Sequence, residues 1–115
     1  MSIRLLTQSD LPTSSFSREL IGADHGDVPA SVIFVDAEPG RGPRLHRHDY
    51  AELFFVLEGQ ATFTDGDDER VVGSGGVVIV PPGQAHGFVN SGTGKLKQID
   101  VHLSPRFVTE WLEEP

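Results

Sequence analysis

Gly40-Arg41-Gly42-Pro43-Arg44-Leu45-His46-Arg47-His48-Asp49-Tyr50-Ala51-Glu52 is followed, after six residues, by Gly59. Gly75 is followed, after five residues, by Pro81-Pro82-Gly83-Gln84-Ala85-His86-Gly87-Phe88-Val89-Asn90. Alternate residues of a β-strand share a face, so His46 and His48 lie on one side, about 6–7 Å apart along the chain. Glu52 keeps the same parity if Asp49–Ala51 stays extended, and Phe54 and Val56 then build an apolar wall beside it. His86 arrives from another strand, with Phe88 on its face by the same rule. Three imidazoles and one carboxylate form a donor set suited to a divalent transition metal. The competing reading keeps the four as structural polar residues or around a closed structural metal. Burying them without a partner cation is costly, which disfavours the first version.

Outward from these stretches the chain reads as many short strands. Thirteen glycines and eight prolines punctuate segments rich in Val, Ile and Phe, the pattern of strands joined by tight turns. Expected strands are 3–6, 14–21, 30–37, 44–48, 52–57, 60–64, 70–72, 77–80, 86–90 and 96–103. Asp65-Gly66-Asp67-Asp68-Glu69 is a hairpin loop, since Asp-Gly tolerates positive φ, and Pro81-Pro82-Gly83 stops the strand before it. Only the C-terminus looks helical. Ser104 suits an N-cap, Pro105 the first helical position, and Phe107, Val108, Trp111 and Leu112 recur at helical spacing. This is an all-β layout with one short C-terminal helix. So many short strands are best served by a closed barrel or double-sheet roll, which removes unpaired edges.

Composition bounds the rest. A chain of 115 residues is one domain of ordinary size, residues 1–115, with no repeat or linker to divide it. There is no cysteine, which excludes disulfides, thiolate nucleophiles and cysteine-ligated metal sites. Seventeen acidic against nine basic residues give a formal net charge of −8, which repels phosphate backbones and argues against nucleic-acid binding. No apolar run is long enough for a membrane span, and the N-terminus lacks a signal-peptide stretch, so no membrane role and a cytoplasmic location are expected.

The fixed positions resemble the two cupin motifs, the first at residues 40–59 and the second at 75–90. The first reads Gly, five residues, His-X-His, three residues, Glu, six residues, Gly; the second reads Gly, five residues, Pro-X-Gly, two residues, His, three residues, Asn. Gly40, His46, His48, Glu52, Gly59, Gly75, Pro81, Gly83, His86 and Asn90 match every fixed position. Gly76 stands where many relatives carry an acidic residue, a departure confined to a turn. The resemblance implies a single-domain cupin β-barrel of the double-stranded β-helix or jelly-roll type. It implies His46, His48, Glu52 and His86 as ligands of one divalent metal: iron, manganese, nickel, copper or zinc. It also implies a small-molecule ligand or substrate and, together with the apolar odd-numbered face Leu53, Phe55 and Leu57, a homodimer.

Cupins with this ligand set include dioxygenases and also isomerases, cyclases and lyases. A metal-containing module that binds a sugar or other metabolite without turning it over is the other class, and dioxygenase-like chemistry is placed first. Around the ligands, Phe54 and Phe88 are candidate wall residues of the substrate site. Gln98, Asp100 and His102 are candidates on an alternating strand whose plainer reading is a half-exposed edge in water. His102 and Tyr50 are the catalytic candidates, with rim or packing the alternative for Tyr50. Arg44 shares parity with the histidines and is a candidate for an anionic substrate; the plainer reading of Arg41, Arg44 and Arg47 is as solvated partners of nearby acids, and of His25 as an exposed loop residue.

Overall fold

The period-2 patterning produces eleven strands between Thr13 and Trp111. The computed structural model describes residues 2–115. In chain order the strands are β1 (Thr13–Ser14), β2 (Ser17–Leu20), β3 (Ser31–Ala37), β4 (His46–Arg47), β5 (Glu52–Glu58), β6 (Gln60–Thr64), β7 (Glu69–Gly73), β8 (Val77–Val80), β9 (Gly87–Asn90), β10 (Leu96–His102) and β11 (Glu110–Trp111). One sheet has the order β1-β2-β3-β10-β5-β8. A second has β7-β6-β9, and the His46–His86 bridge joins it to the β4-β11 pair. Every strand pair is antiparallel. The two layers face each other as a double-stranded β-helix, and their inward side chains fill the space between.

The core follows from alternation. On β5, Glu52, Phe54 and Val56 are buried, while Leu53 and Phe55 are half-buried and Leu57 is exposed. Phe54, Phe63 and Phe88 meet edge-to-face or tilted, with ring centroids 5.0–6.0 Å apart, the separation at which aromatic pairs add to area burial. Val35, Ala37, Val56, Ala61 and Leu96 complete a dry end of the barrel. Two glycines are needed for specific reasons. Gly59 turns the chain from β5 into β6 at φ +88°, and a Cβ there would stand 2.3 Å from the Lys95 carbonyl oxygen. A Cβ on Gly42 would stand 2.0 Å from the Phe88 carbonyl oxygen, so only glycine lets these backbones approach. Asn90 closes the turn after β9, its amide donating to the Ala37 and Gly94 carbonyls and its oxygen accepting from the Gly92 N–H.

Three expectations about secondary structure are corrected. Residues 3–6 form no strand, and Ile3 and Leu5 are 92% and 90% exposed. The 3-10 turn Gln8–Asp10, in which Asp10 accepts from the Thr7 N–H at 2.9 Å, takes the chain to the sheet only at Thr13. The expected strand 14–21 is broken, because Ser14–Ser17 forms a tight reversal, with Ser15 at φ 39° and the Ser17 hydroxyl donating to the Ser14 carbonyl.

The third correction is the C-terminal helix, which is absent. Ser104 accepts from the Arg106 N–H, a local turn that does not propagate. Glu110–Trp111 instead pairs with His46–Arg47, and the Leu112 and Glu113 N–H groups both reach the Leu45 carbonyl. The free backbone edge of β4 offers this segment hydrogen bonds that a helix would have to make alone. Short isolated helices are marginal, and the β-branched Val108 and Thr109 weaken this one further.

Candidate metal centre

His46 and His48 sit on and just beyond β4, Glu52 opens β5, and His86 immediately precedes β9. All four are buried, and one donor atom from each lies within 4.8 Å of the others. That is close to the roughly 4 Å separation that bonds of about 2 Å allow across a single ion. Local backbone geometry aims them. His46 Nδ1–H donates to the Arg44 carbonyl at 2.6 Å, His86 Nδ1–H to the Gln84 carbonyl at 2.9 Å, and His48 Nδ1–H to the Val108 carbonyl at 2.8 Å. With each Nδ1 bound outward to a carbonyl, each Nε2 presents a lone pair inward, the arrangement that fixes tautomer and ring orientation in metal sites.

The carboxylate stands at the centre of the group. Glu52 Oε1 is 3.1 Å from both His48 Nε2 and His86 Nε2. His48 Nε2 is buried without a hydrogen-bond partner. A lone pair facing a carboxylate oxygen at this range is held together by a shared proton or a shared cation, so the donor set fits a divalent metal. The electrostatics differ from ring to ring. Burial pushes His46 down to about 4, with the Arg44 carbonyl opposing only in part, so its ring is neutral and ready to ligate near pH 7. Burial also pulls His48 down, but the Glu52 contact and the Val108 carbonyl outweigh it and its value rises. Burial would raise Glu52, yet His102, His48 and His86 hold it far below the usual carboxylate range.

Behind the four lies a second set of polar groups. His102 Nε2 is 2.9 Å from Glu52 Oε2, close but not aligned as an ideal hydrogen bond. Tyr50 OH is 2.7 Å from His102 Nδ1 and accepts from the Val108 N–H at 3.3 Å. Because His48 already donates to Val108, the Tyr50 proton goes to His102 Nδ1. That leaves the His102 proton on Nε2, facing Glu52. Tyr50 also stacks on His48 at 4.9 Å, and burial raises its hydroxyl to about 12, so it stays protonated as the donor.

The remaining sequence candidates divide. Phe54, Phe88, Asp100 and His102 line a cavity of about 230 Å³ together with His46, His48 and Glu52. Gln98 is buried beneath it and donates from Nε2 to Asp100 Oδ1 at 2.8 Å. The half-exposed reading of Gln98, Asp100 and His102 is therefore wrong, since all three point into the barrel. Arg44 is not brought in. Its side chain is 65% exposed and lies 3.9 Å from Glu113, because residue 44 precedes the two-residue β4 and escapes its parity. His25, half-buried in a 3-10 turn, sits beside Arg4 and away from the site. Sequence reading missed the C-terminal strap. Phe107, Thr109 and Trp111 line the cavity. The Trp111 ring is 5.0 Å from His46 and the Phe107 ring 4.7 Å from His102. The apolar stripe was visible as a signal, but not what it covers.

Comparison with known proteins is consistent with this architecture. A family model described as "Cupin domain" matches residues 33–102, more than half of the chain. No curated protein matches the sequence. Among solved structures, a Klebsiella pneumoniae uncharacterized conserved protein with a double-stranded beta-helix domain is 20% identical, covering 96% of this chain and 93% of its own, with a TM-score of 0.76. The polyketide cyclase RemF from Streptomyces resistomycificus is 19% identical over 99% of this chain and 88% of its own, with a TM-score of 0.77. Bacillus subtilis oxalate decarboxylase, described with Mn(II) centres, is 19% identical over 89% of this chain and 29% of its own, with a TM-score of 0.72. At these identities the likeness is one of fold.

Proposed function

This chain belongs to the cupin family, and from that premise we propose that it is a metal-dependent enzyme acting on a small molecule held inside the barrel. His46, His48, Glu52 and His86 are the metal ligands in this reading. The observation that carries it is the Glu52 carboxylate oxygen set 3.1 Å from two imidazole nitrogens whose outer faces are both tied to backbone carbonyls. A divalent metal held by these four side chains would supply Lewis acidity to a ligand bound beside them, with redox chemistry toward dioxygen if it were iron, manganese, nickel or copper. Dioxygenase-like chemistry is placed first, and the aromatic wall of Phe54, Phe88, Phe107 and Trp111 gives it a largely apolar space beside the four residues.

A second reading, non-redox isomerase, cyclase or lyase chemistry, draws support from the Tyr50–His102–Glu52 string. Its geometry holds a proton on His102 Nε2 at the cavity wall, and proton transfer is what such reactions need. A homodimer belongs to the proposal too. Leu57, Val77 and Ile79 are exposed on the outer face of the six-stranded sheet, beside Leu53 and Phe55, and covering them would remove an apolar patch from water.

Elemental analysis of the purified protein, followed by substrate screens with and without oxygen, tests the function. Stoichiometric redox-active metal with oxygen uptake supports the first reading. Zinc with oxygen-independent turnover supports the second. Metal and ligand bound at unit stoichiometry without product would make the chain a binding module, and protein that takes up no metal overturns the proposal.

A further inference from the structure

The cavity beside the ligand cluster has a marked chemical bias. Ile33, Phe54, Phe88, Phe107 and Trp111 supply most of its wall. Besides the histidines, its ionisable lining is acidic: Glu19, Glu52 and Asp100. None of the nine lysines and arginines of the chain lines it. The two arginines nearest in sequence to the ligands face outward, Arg44 toward Glu113 and Arg47 in an ion pair with Glu110. An anionic ligand would therefore meet carboxylates and aromatic rings, with no guanidinium or ammonium to hold its far end. A divalent ion held there would be offset in part by Glu52, and the lining adds no further cation to draw an anion in.

Volume narrows the class further. The cavity measures about 230 Å³, against roughly 150 Å³ for an apolar cavity that takes benzene. One substituted ring fills it. Asp100 then gives that ligand an anchor. Gln98 Nε2 holds Asp100 Oδ1, and Asp100 lines the cavity. Burial, and then the nearby Glu52 charge, raise Asp100 well above the ordinary value, which favours its protonated form.

We propose that this cavity selects an uncharged, single-ring, oxygen-bearing ligand, with Asp100 as its hydrogen-bonding contact and the His46, His48, Glu52 and His86 cluster facing its oxygen donors. This rests on the metal-enzyme reading above and names the ligand class of that site.

Two probes of nearly equal size separate the possibilities: 2-hydroxyacetophenone, which is neutral at pH 7, and salicylate, which carries a carboxylate at the same ring position. Calorimetric titration of the full chain, loaded with zinc or manganese and with metal content measured on the same sample, should give at least tenfold tighter binding of the neutral probe. Asp100→Leu should weaken that probe severalfold, while Asp100→Asn, which keeps an N–H donor and the polar packing, should retain it. Equal or tighter salicylate binding, or no binding of either probe at millimolar concentration, overturns the proposal. A protein that takes up no metal yet still prefers the neutral probe would sink the metal reading and leave the ligand class standing.

Discussion

The two ends of the barrel are built by the same strands yet do opposite things. β5 and β10 pair along their length, with His102 opposite Glu52, Asp100 opposite Phe54 and Gln98 opposite Val56. At one end the inward positions hold His102 and Glu52 beside the other histidines. At the other, Val56 and Leu96 pack with Ala37 and Ala61 in a dry core. One alternation rule thus fills a stabilising region and a chemical region within a few residues. Stability and function should separate along the strand axis accordingly.

The largest expected effect lies at the polar end. Glu52→Ala or His48→Ala should leave the circular dichroism spectrum of the barrel intact while metal content falls to background by elemental analysis. Full metal occupancy in both variants would break the division. At the dry end, Leu96→Ala removes a fully buried side chain and should cost about 2–5 kcal/mol in denaturant unfolding. Metal affinity in the folded fraction should stay unchanged, and a parallel drop would show that the ends are not independent.

A smaller effect tests the boundary between them. His102→Phe should weaken metal binding roughly 10–100-fold and Tyr50→Phe by less, since groups that orient a ligand act at this level. The visible spectrum of the cobalt-substituted protein should shift in both. Identical spectra and affinities would reduce the pair to packing.

The smallest effect concerns pH. Burial pushes Asp100 well above 3.8, so the folded barrel holds its proton over a pH range in which the unfolded chain has released it. The unfolded state therefore binds fewer protons, and this residue subtracts stability as pH rises. Asp100→Asn should melt higher than the parent at pH 8, with the advantage fading as pH falls toward 3.8. A gap independent of pH would mean that Asp100 is ionised in the fold.

Much of the arrangement was legible in the chain. The strands from β5 to β10 announce themselves through alternation and turn residues, and parity alone turned Glu52, Phe54 and Val56 inward. The ligand cluster was legible because strand spacing converts residue number into direction. What parity could not do was extend past a strand end. Arg44 shares the parity of His46 but lies outside β4 and turns to Glu113. The C-terminal stripe Phe107, Val108, Trp111 and Leu112 fits helical spacing, and nothing local reveals that β4 has a free edge nearby. That information is tertiary, and it outweighed local preference. Ile3 to Leu6 looked like a strand on residue type, but a strand exists only where another accepts its hydrogen bonds.

The Val108 carbonyl that receives the His48 proton belongs to the same terminal ribbon that lays Trp111 against His46. Any change that lifts this ribbon off β4 therefore also takes away the acceptor that fixes the His48 ring. A purification handle on the C-terminal side pulls on that ribbon, whereas one on the N-terminal side leaves it alone.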